Sequence, residues 1–402
     1  MDKEKLALYG GKPVREKPLP PMYPGALFID ENEERAVIEV LRSKSLFRYY
    51  GPNLLRKAEE FEKRFAEYMG VKYALGVSSG TAALYTALKA LGMREGDEVI
   101  VPAYGWISVP AMVAATGATP VIAGIDESLS LDPDDIERKI TDRTKAILAV
   151  HMRGAPCDMD RIMDVAKEHD LMVIEDAAQS CGGEYKGKKL GSIGDIGIFS
   201  FQLNKIITAG EGGAVITNNE DFYRRALAVH DVAAYYRAPD YVPPLIGFNF
   251  RMSEITAAIL IEQLKKIDRI IERMRRNKEK IKKEISDIDG IEFRKLNDPN
   301  GDTGICIIFF LPTQKKALEF VRALNAENIG AFVIYREDRL DGHVCKYWLP
   351  VLKERMRIDK ETMRRALDLL GRAVNIDVNP ILTEEDVNSI IEGIHKVANA
   401  IL

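Results

Sequence analysis

Short apolar runs alternating with helical stretches constrain this chain more than any other feature. Runs suited to strands fall at 73–77, 97–101, 119–123, 146–150, 171–175, 196–200 and 213–217. Such alternation predicts an α/β fold with a mostly parallel seven-stranded sheet. Ahead of it, Leu54, Ala58, Phe61, Phe65 and Tyr68 fall at helical spacing, and Gly70 supplies the stop. A longer helix is predicted from Ser253 to Ile285, where Leu260, Leu264, Ile267, Ile271, Met274, Ile281 and Ile285 form a stripe among Lys, Arg and Glu. Its charged face reads as the solvated side of a helix that bridges two domains. Asp289-Gly290 marks a turn, and 291–402 has the size of a second, smaller α/β domain. Pro13, Pro18, Pro20, Pro21 and Pro24 make the beginning an extended arm. The expected division is an arm over 1–25, a large domain over 26–260, and a bridging helix with a small C-terminal domain over 261–402.

Charge and cysteine usage narrow the function class. A net charge of −4 gives no global basic field to recruit nucleic acid or an anionic membrane. No window approaches the ~18 apolar residues that a membrane helix needs. The charged start Met1-Asp2-Lys3-Glu4-Lys5 does not read as a secretory signal. Cys157, Cys181, Cys306 and Cys345 are scattered with no Cys-x-x-Cys pair, so neither zinc nor disulfides are expected, and a reducing cytoplasm fits best.

Four local signals carry chemistry. Gly76-Val77-Ser78-Ser79-Gly80-Thr81-Ala82-Ala83 runs from strand through a small-residue turn into helix. Free N–H groups at a helix start bind phosphate, and Thr81 adds a hydroxyl; plain capping would use the same residues. The strand at 171–175 ends in Glu175-Asp176, where ligands sit in open α/β sheets. A carboxylate there can meet a metal, a ribose or a protonated ring nitrogen, or cap a helix. Phe199-Ser200-Phe201-Gln202-Leu203-Asn204-Lys205 places an amine after an aromatic run, in surroundings that suit a desolvated Schiff-base former. Most isolated lysines simply face solvent. The context is Thr208-Ala209-Gly210-Glu211-Gly212-Gly213, whose glycines imply a sharp turn or a close approach.

Taken together, the segment "IEDAAQSCGGEYKGKKLGSIGDIGIFSFQLNKIITAGEGGAVITN" resembles the cofactor region of the DegT/DnrJ/StrS aminotransferases, which are pyridoxal-phosphate enzymes of fold type I. The resemblance extends along nearly the whole chain, through "SSGTAAL", "HMRGAPCDMD", "IGFNFRMSEITAAI" and "LDLLGRAVNIDVNP". It implies pyridoxal 5'-phosphate held as a Schiff base on Lys205, which then moves the proton. Asp176 would pair with the ring nitrogen, Gln179 would contact the ring or its phenolic oxygen, and Trp106 would stack on the ring. Gly80, Thr81 and Ser200 would hold the phosphate. Asn249 would reach the phosphate bound by a neighbouring subunit, which implies a homodimer with shared sites.

Where many sugar aminotransferases of this family read Phe-Ser-Phe-His, this chain has Gln202. That residue, with "HMRGAPCDMD" and "DGHVCKYW", is similar to the branch acting on cyclitol ketones. The implied reaction takes an amino group from glutamate or glutamine to a keto-sugar or keto-cyclitol. A dehydratase of the aminohydroxybenzoate synthase type and a non-catalytic regulatory relative are the alternatives. Arg251 and His343 can contact the donor carboxylate or substrate hydroxyls, or serve in structural pairs.

Overall fold

The computed structural model describes residues 3–352 and 354–402. Its first strands are β1 (Tyr73–Val77), β2 (Glu98–Pro102), β3 (Thr119–Ala123), β4 (Thr144–Val150), β5 (Met172–Asp176), β6 (Glu184–Tyr185), β7 (Lys188–Lys189), β8 (Ile196–Ser200) and β9 (Gly213–Thr217). All but the small β6–β7 hairpin form one seven-stranded sheet in the order β1-β9-β8-β5-β4-β2-β3. β9 runs antiparallel to both its neighbours, and the remaining pairs are parallel.

Strand alternation sorts the side chains into two separate clusters. Leu75, Val101 and Ile198 face Leu84 and Leu88 of the helix Gly80–Ala90. Ala74, Ile100 and Phe199 face the opposite way, toward Phe61, Phe65 and Leu260 of the helices Lys57–Met69 and Glu254–Leu264. Edge-on ring contacts of 5.0 Å between Phe65 and Phe199 and 5.6 Å between Phe61 and Phe201 lock that second face. With both faces covered, β2, β8 and β9 are buried along their whole length, so they read as unbroken apolar runs.

A second sheet contains β10 (Glu292–Phe293), β11 (Cys306–Phe310), β12 (Ala331–Val333) and β13 (Ala373–Asp377). Its order is β10-β11-β13-β12, antiparallel throughout. Ile307, Phe309, Val374 and Ile376 pack there against Phe320, Ile390 and Ile394 of the helices Gln314–Ala326 and Glu384–Ile401.

Two local expectations change. The helix expected over Ser253–Ile285 is two helices, Glu254–Leu264 and Ile267–Glu284, separated by a turn at Lys265–Lys266. There the Lys266 ammonium donates to Glu33 and to the Phe28 carbonyl, each at 2.7 Å, while the Gln263 amide donates to Glu33 at 2.8 Å. The arm expected to be extended contains short 3-10 turns at Lys3–Lys5 and Ala7–Tyr9, and buries Leu6 in the core of the second sheet. Glu327, itself fully buried, accepts the N–H groups of Ala7 and Val14 at 2.8 and 2.9 Å and the Lys396 ammonium at 2.7 Å. At the expected end of the arm, the Gly25 N–H donates to the Lys205 carbonyl at 3.1 Å.

Among the described residues, no helix is long and apolar enough to cross a membrane, and no cluster of three or more His, Cys, Asp or Glu could hold a metal ion. All four cysteines are buried thiols.

Candidate active site

A cavity of about 550 Å³ opens at the carboxyl ends of β1, β4, β5 and β8, where the strand direction of an open α/β sheet places ligands. Gly80, Thr81, Trp106, Asp176, Gln179, Ser200 and Lys205 all line it.

At one end the chain leaves β1 and starts the helix Gly80–Ala90. Ser79 is its N-cap, its hydroxyl accepting the Ala82 N–H at 3.1 Å. The first-turn N–H groups at Gly80 and Thr81 have no preceding carbonyl within the helix, so they face the cavity as anion donors. A Cβ on Gly80 would lie 2.7 Å from that of Ser200, and one on Gly213 would lie 2.4 Å from the Ser79 carbonyl. The glycines thus let three chain segments close into one small-walled cradle beside the Ser200 hydroxyl.

In the middle stand Asp176 and Lys205. Asp176 ends β5 and accepts the Ala178 N–H at 2.9 Å, a local turn rather than the cap of a helix. Burial raises its carboxyl above the usual range, opposed by that N–H and by the charge of Lys205. Lys205 lies in the loop between β8 and β9, and its ammonium forms no hydrogen bond or ion pair with the described residues. Burial pulls it below the usual lysine range; Asp176 opposes that shift and Arg153 reinforces it. The neighbouring Glu175 points to the other face of the sheet, as strand alternation requires. It accepts the N–H groups of Gly191, Ile193 and Gly194 at 2.9, 2.6 and 2.7 Å. The Cys157 N–H donates to His151 Nδ1 at 3.1 Å, so the ring proton sits on Nε2, which donates to Glu175 at 3.0 Å.

At the far end, Trp106 is 48% exposed and faces the cavity rather than the core, its ring 4.8 Å from that of His343. Asp341 accepts from His343 Nδ1 at 2.8 Å, which leaves Nε2 to meet the Gln179 amide at 3.4 Å. Gln202 also lines the cavity. Two anticipated residues lie outside it. Arg251 donates to Asp231 at 2.7 Å, a structural pair. Asn249 is exposed, on a segment that bridges to Asp231.

Arg153, Glu211 and Asp377 line the cavity without having been anticipated. Arg153 follows β4 within "HMRGAPCDMD", so the rule that located Asp176, applied to β4, could have found it. Asp377 ends a strand of the second sheet, and its approach to the cavity depends on packing between the sheets.

Residues 28–395 match the model of the DegT/DnrJ/EryC1/StrS aminotransferase family. The chain is 47% identical over 232 residues to GDP-perosamine synthase of Escherichia coli O157:H7, covering 57% of this chain and 63% of that protein. It is 40% identical over 294 residues to L-glutamine:2-deoxy-scyllo-inosose aminotransferase of Streptoalloteichus tenebrarius, covering 68% of this chain and 66% of that one. Each match thus spans less than two thirds of the relative's length. The solved structure of an aminotransferase from Psychrobacter cryohalolentis is 31% identical, with a TM-score of 0.83 over 95% of this chain and 100% of that one.

Proposed function

The chain belongs to the DegT/DnrJ/EryC1/StrS aminotransferase family, and from that premise we propose that it moves an amino group from glutamate or glutamine to a keto-sugar or keto-cyclitol, with pyridoxal 5'-phosphate as cofactor. The observation that carries this reading is the Lys205 amine, desolvated and without a hydrogen-bond or ion-pair partner among the described residues, in one cavity with Asp176 and an anion cradle.

The residues present fit that cofactor. The cradle of Gly80, Thr81 and Ser200 suits a phosphate, Asp176 suits a protonated ring nitrogen, and Trp106 and Gln179 suit the ring and its phenolic oxygen. Bound there, pyridoxal phosphate supplies a carbonyl that takes up an amino group and a ring that accepts negative charge. Lys205 Nζ is the point of attachment. Held below its usual pKa by burial, the same atom takes a proton from the donor's α-carbon and returns it one position away. Asp176 keeps the ring nitrogen protonated through charge. The relatives named for perosamine and for scyllo-inosose support an oxygen-rich ketone as acceptor, and an L-glutamine-dependent relative supports glutamine as one donor.

The same reading divides the chain into an arm (1–25), a cofactor-binding domain (26–260) and a bridging helix with a small domain (261–402). It also takes the working unit as a homodimer, with Asn249 reaching the partner's phosphate site. Exposed Ile246 and Phe248 beside Asn249 support an interface there.

Reconstitution tests the core of the proposal. Adding pyridoxal phosphate to cofactor-free protein should produce a visible absorbance band that glutamate or glutamine bleaches, and Lys205→Ala should produce none. A band that persists in Lys205→Ala would overturn the assignment.

A further inference from the structure

The sheet order gives the cavity two ends. β1 and β8 supply the cradle, β5 supplies Asp176 beside them, and β4 lies on the other side of β5. Arg153 follows β4 and therefore stands across Asp176 from the cradle. Among the described residues that line the cavity, it is the only arginine, and Lys205 is the only lysine.

Its backbone is held in a costly conformation. Arg153 has φ 53° and ψ 41°, the left-handed region, where a side chain other than glycine's costs on the order of 1 kcal/mol. Gly154 follows at φ +77°, and a Cβ there would lie 2.0 Å from Thr303 Oγ1, so only glycine fits; the Thr303 N–H donates to the Gly154 carbonyl at 2.9 Å and ties the turn down. Strain of this kind persists where the surroundings enforce it, and it aims a side chain where regular structure would not.

The guanidinium is positioned but hardly engaged. Its Nε is 3.5 Å from the Tyr104 hydroxyl, its Nη1 is 3.8 Å from Asp377 Oδ1, and its carbon lies 5.1 Å from the centre of the Phe332 ring. The Asp377 contact is too long for a hydrogen bond, and an arginine has five N–H donors. Asp377 is steadied instead by the Asn375 amide at 2.8 Å.

We infer that Arg153 recognises the α-carboxylate of the amino donor, and that Asp377 is the resident anion which the donor displaces. This rests on the amino-transfer reading, which brings two anions into the cavity. The cofactor phosphate has its cradle, and the donor carboxylate matches the planar, bidentate fork of an arginine at the opposite end.

The test uses Arg153→Asn, because asparagine tolerates the left-handed backbone, together with Asp377→Asn. Calorimetric titration of the cofactor-loaded protein with glutarate, a dicarboxylate with no amino group to react, reads binding apart from turnover. Arg153→Asn should weaken glutarate binding roughly tenfold or more, as expected for loss of hydrogen bonds to a charged group. It should raise the donor's KM and leave the acceptor's unchanged. Asp377→Asn should shift glutarate binding in the opposite direction, which a structural salt bridge would not do. Two results would each overturn the inference: glutarate affinity unchanged in Arg153→Asn, or weakened binding of a nucleoside diphosphate with glutarate unaffected. A melting temperature that falls in both variants without a change in glutarate affinity assigns the pair to stability and also overturns it. Failure of the parent to develop the cofactor band would instead count against the amino-transfer reading, so the two failures are distinguishable.

Discussion

Lys205 and Asp176 set each other's proton affinity. Burial disfavours the charge on both, and each charge favours the other. Asp176→Asn removes the partner that raises the lysine, so the Lys205 amine should titrate lower than in the parent. The pH dependence of its labelling by an amine-reactive reagent checks this, and an upward shift would refute the coupling. The same variant should slow amino transfer roughly a hundredfold, within the range lost when a preorganised electrostatic partner is removed. Stability follows from the lysine's depressed pKa. Between its folded pKa and the ordinary 10.5, the unfolded chain binds more protons, so cofactor-free protein should gain stability as pH rises through that window. Lys205→Met should flatten this rise and melt higher than the parent at neutral pH. Thermal melts across pH decide the point. The two residues were legible as a pair because strand-end position and chain order are sequence properties. The same strand-end rule reaches Arg153 as a position but not the direction of its side chain, which depends on a left-handed turn packed against Thr303, far along the chain.

At the scale of elements, the end of β5 does two jobs on two faces. Asp176 turns into the cavity, while Glu175 ties the loop at 191–194 and His151 into the opposite side. Glu175→Gln would set an amide donor against N–H groups and remove a buried charge, costing roughly 3 kcal/mol. Chemical denaturation measures this, and a loss under about 1 kcal/mol would place the variant among ordinary surface changes and refute the role. The strands themselves were readable because burial on both faces makes them apolar throughout. The break at Lys265–Lys266 was not readable, since the apolar stripe runs straight through it. Its cause is the tie to Glu33 and Phe28, more than 200 residues away in sequence.

At the scale of the molecule, the proposed homodimer with shared sites makes a specific prediction. Lys205→Ala and Asn249→Ala should each be impaired alone. Mixed and allowed to exchange, they should recover up to about a quarter of the parent rate, since half the dimers would carry one intact site of two. A mixture no faster than the average of the two variants would refute the shared site. Asn249 is named only through family resemblance, because its function would lie on another chain. The arm has a different consequence. Leu6 docks beneath a sheet whose residues come much later in the chain, and Ala7 hydrogen-bonds across 320 residues of sequence to Glu327. On a ribosome that adds roughly 5–20 residues per second, Leu6 and Ala7 of the arm wait on the order of half a minute for these partners. Its far end at Gly25 meets the Lys205 loop much sooner, so the arm should be tethered at its exit before its beginning has anywhere to bind.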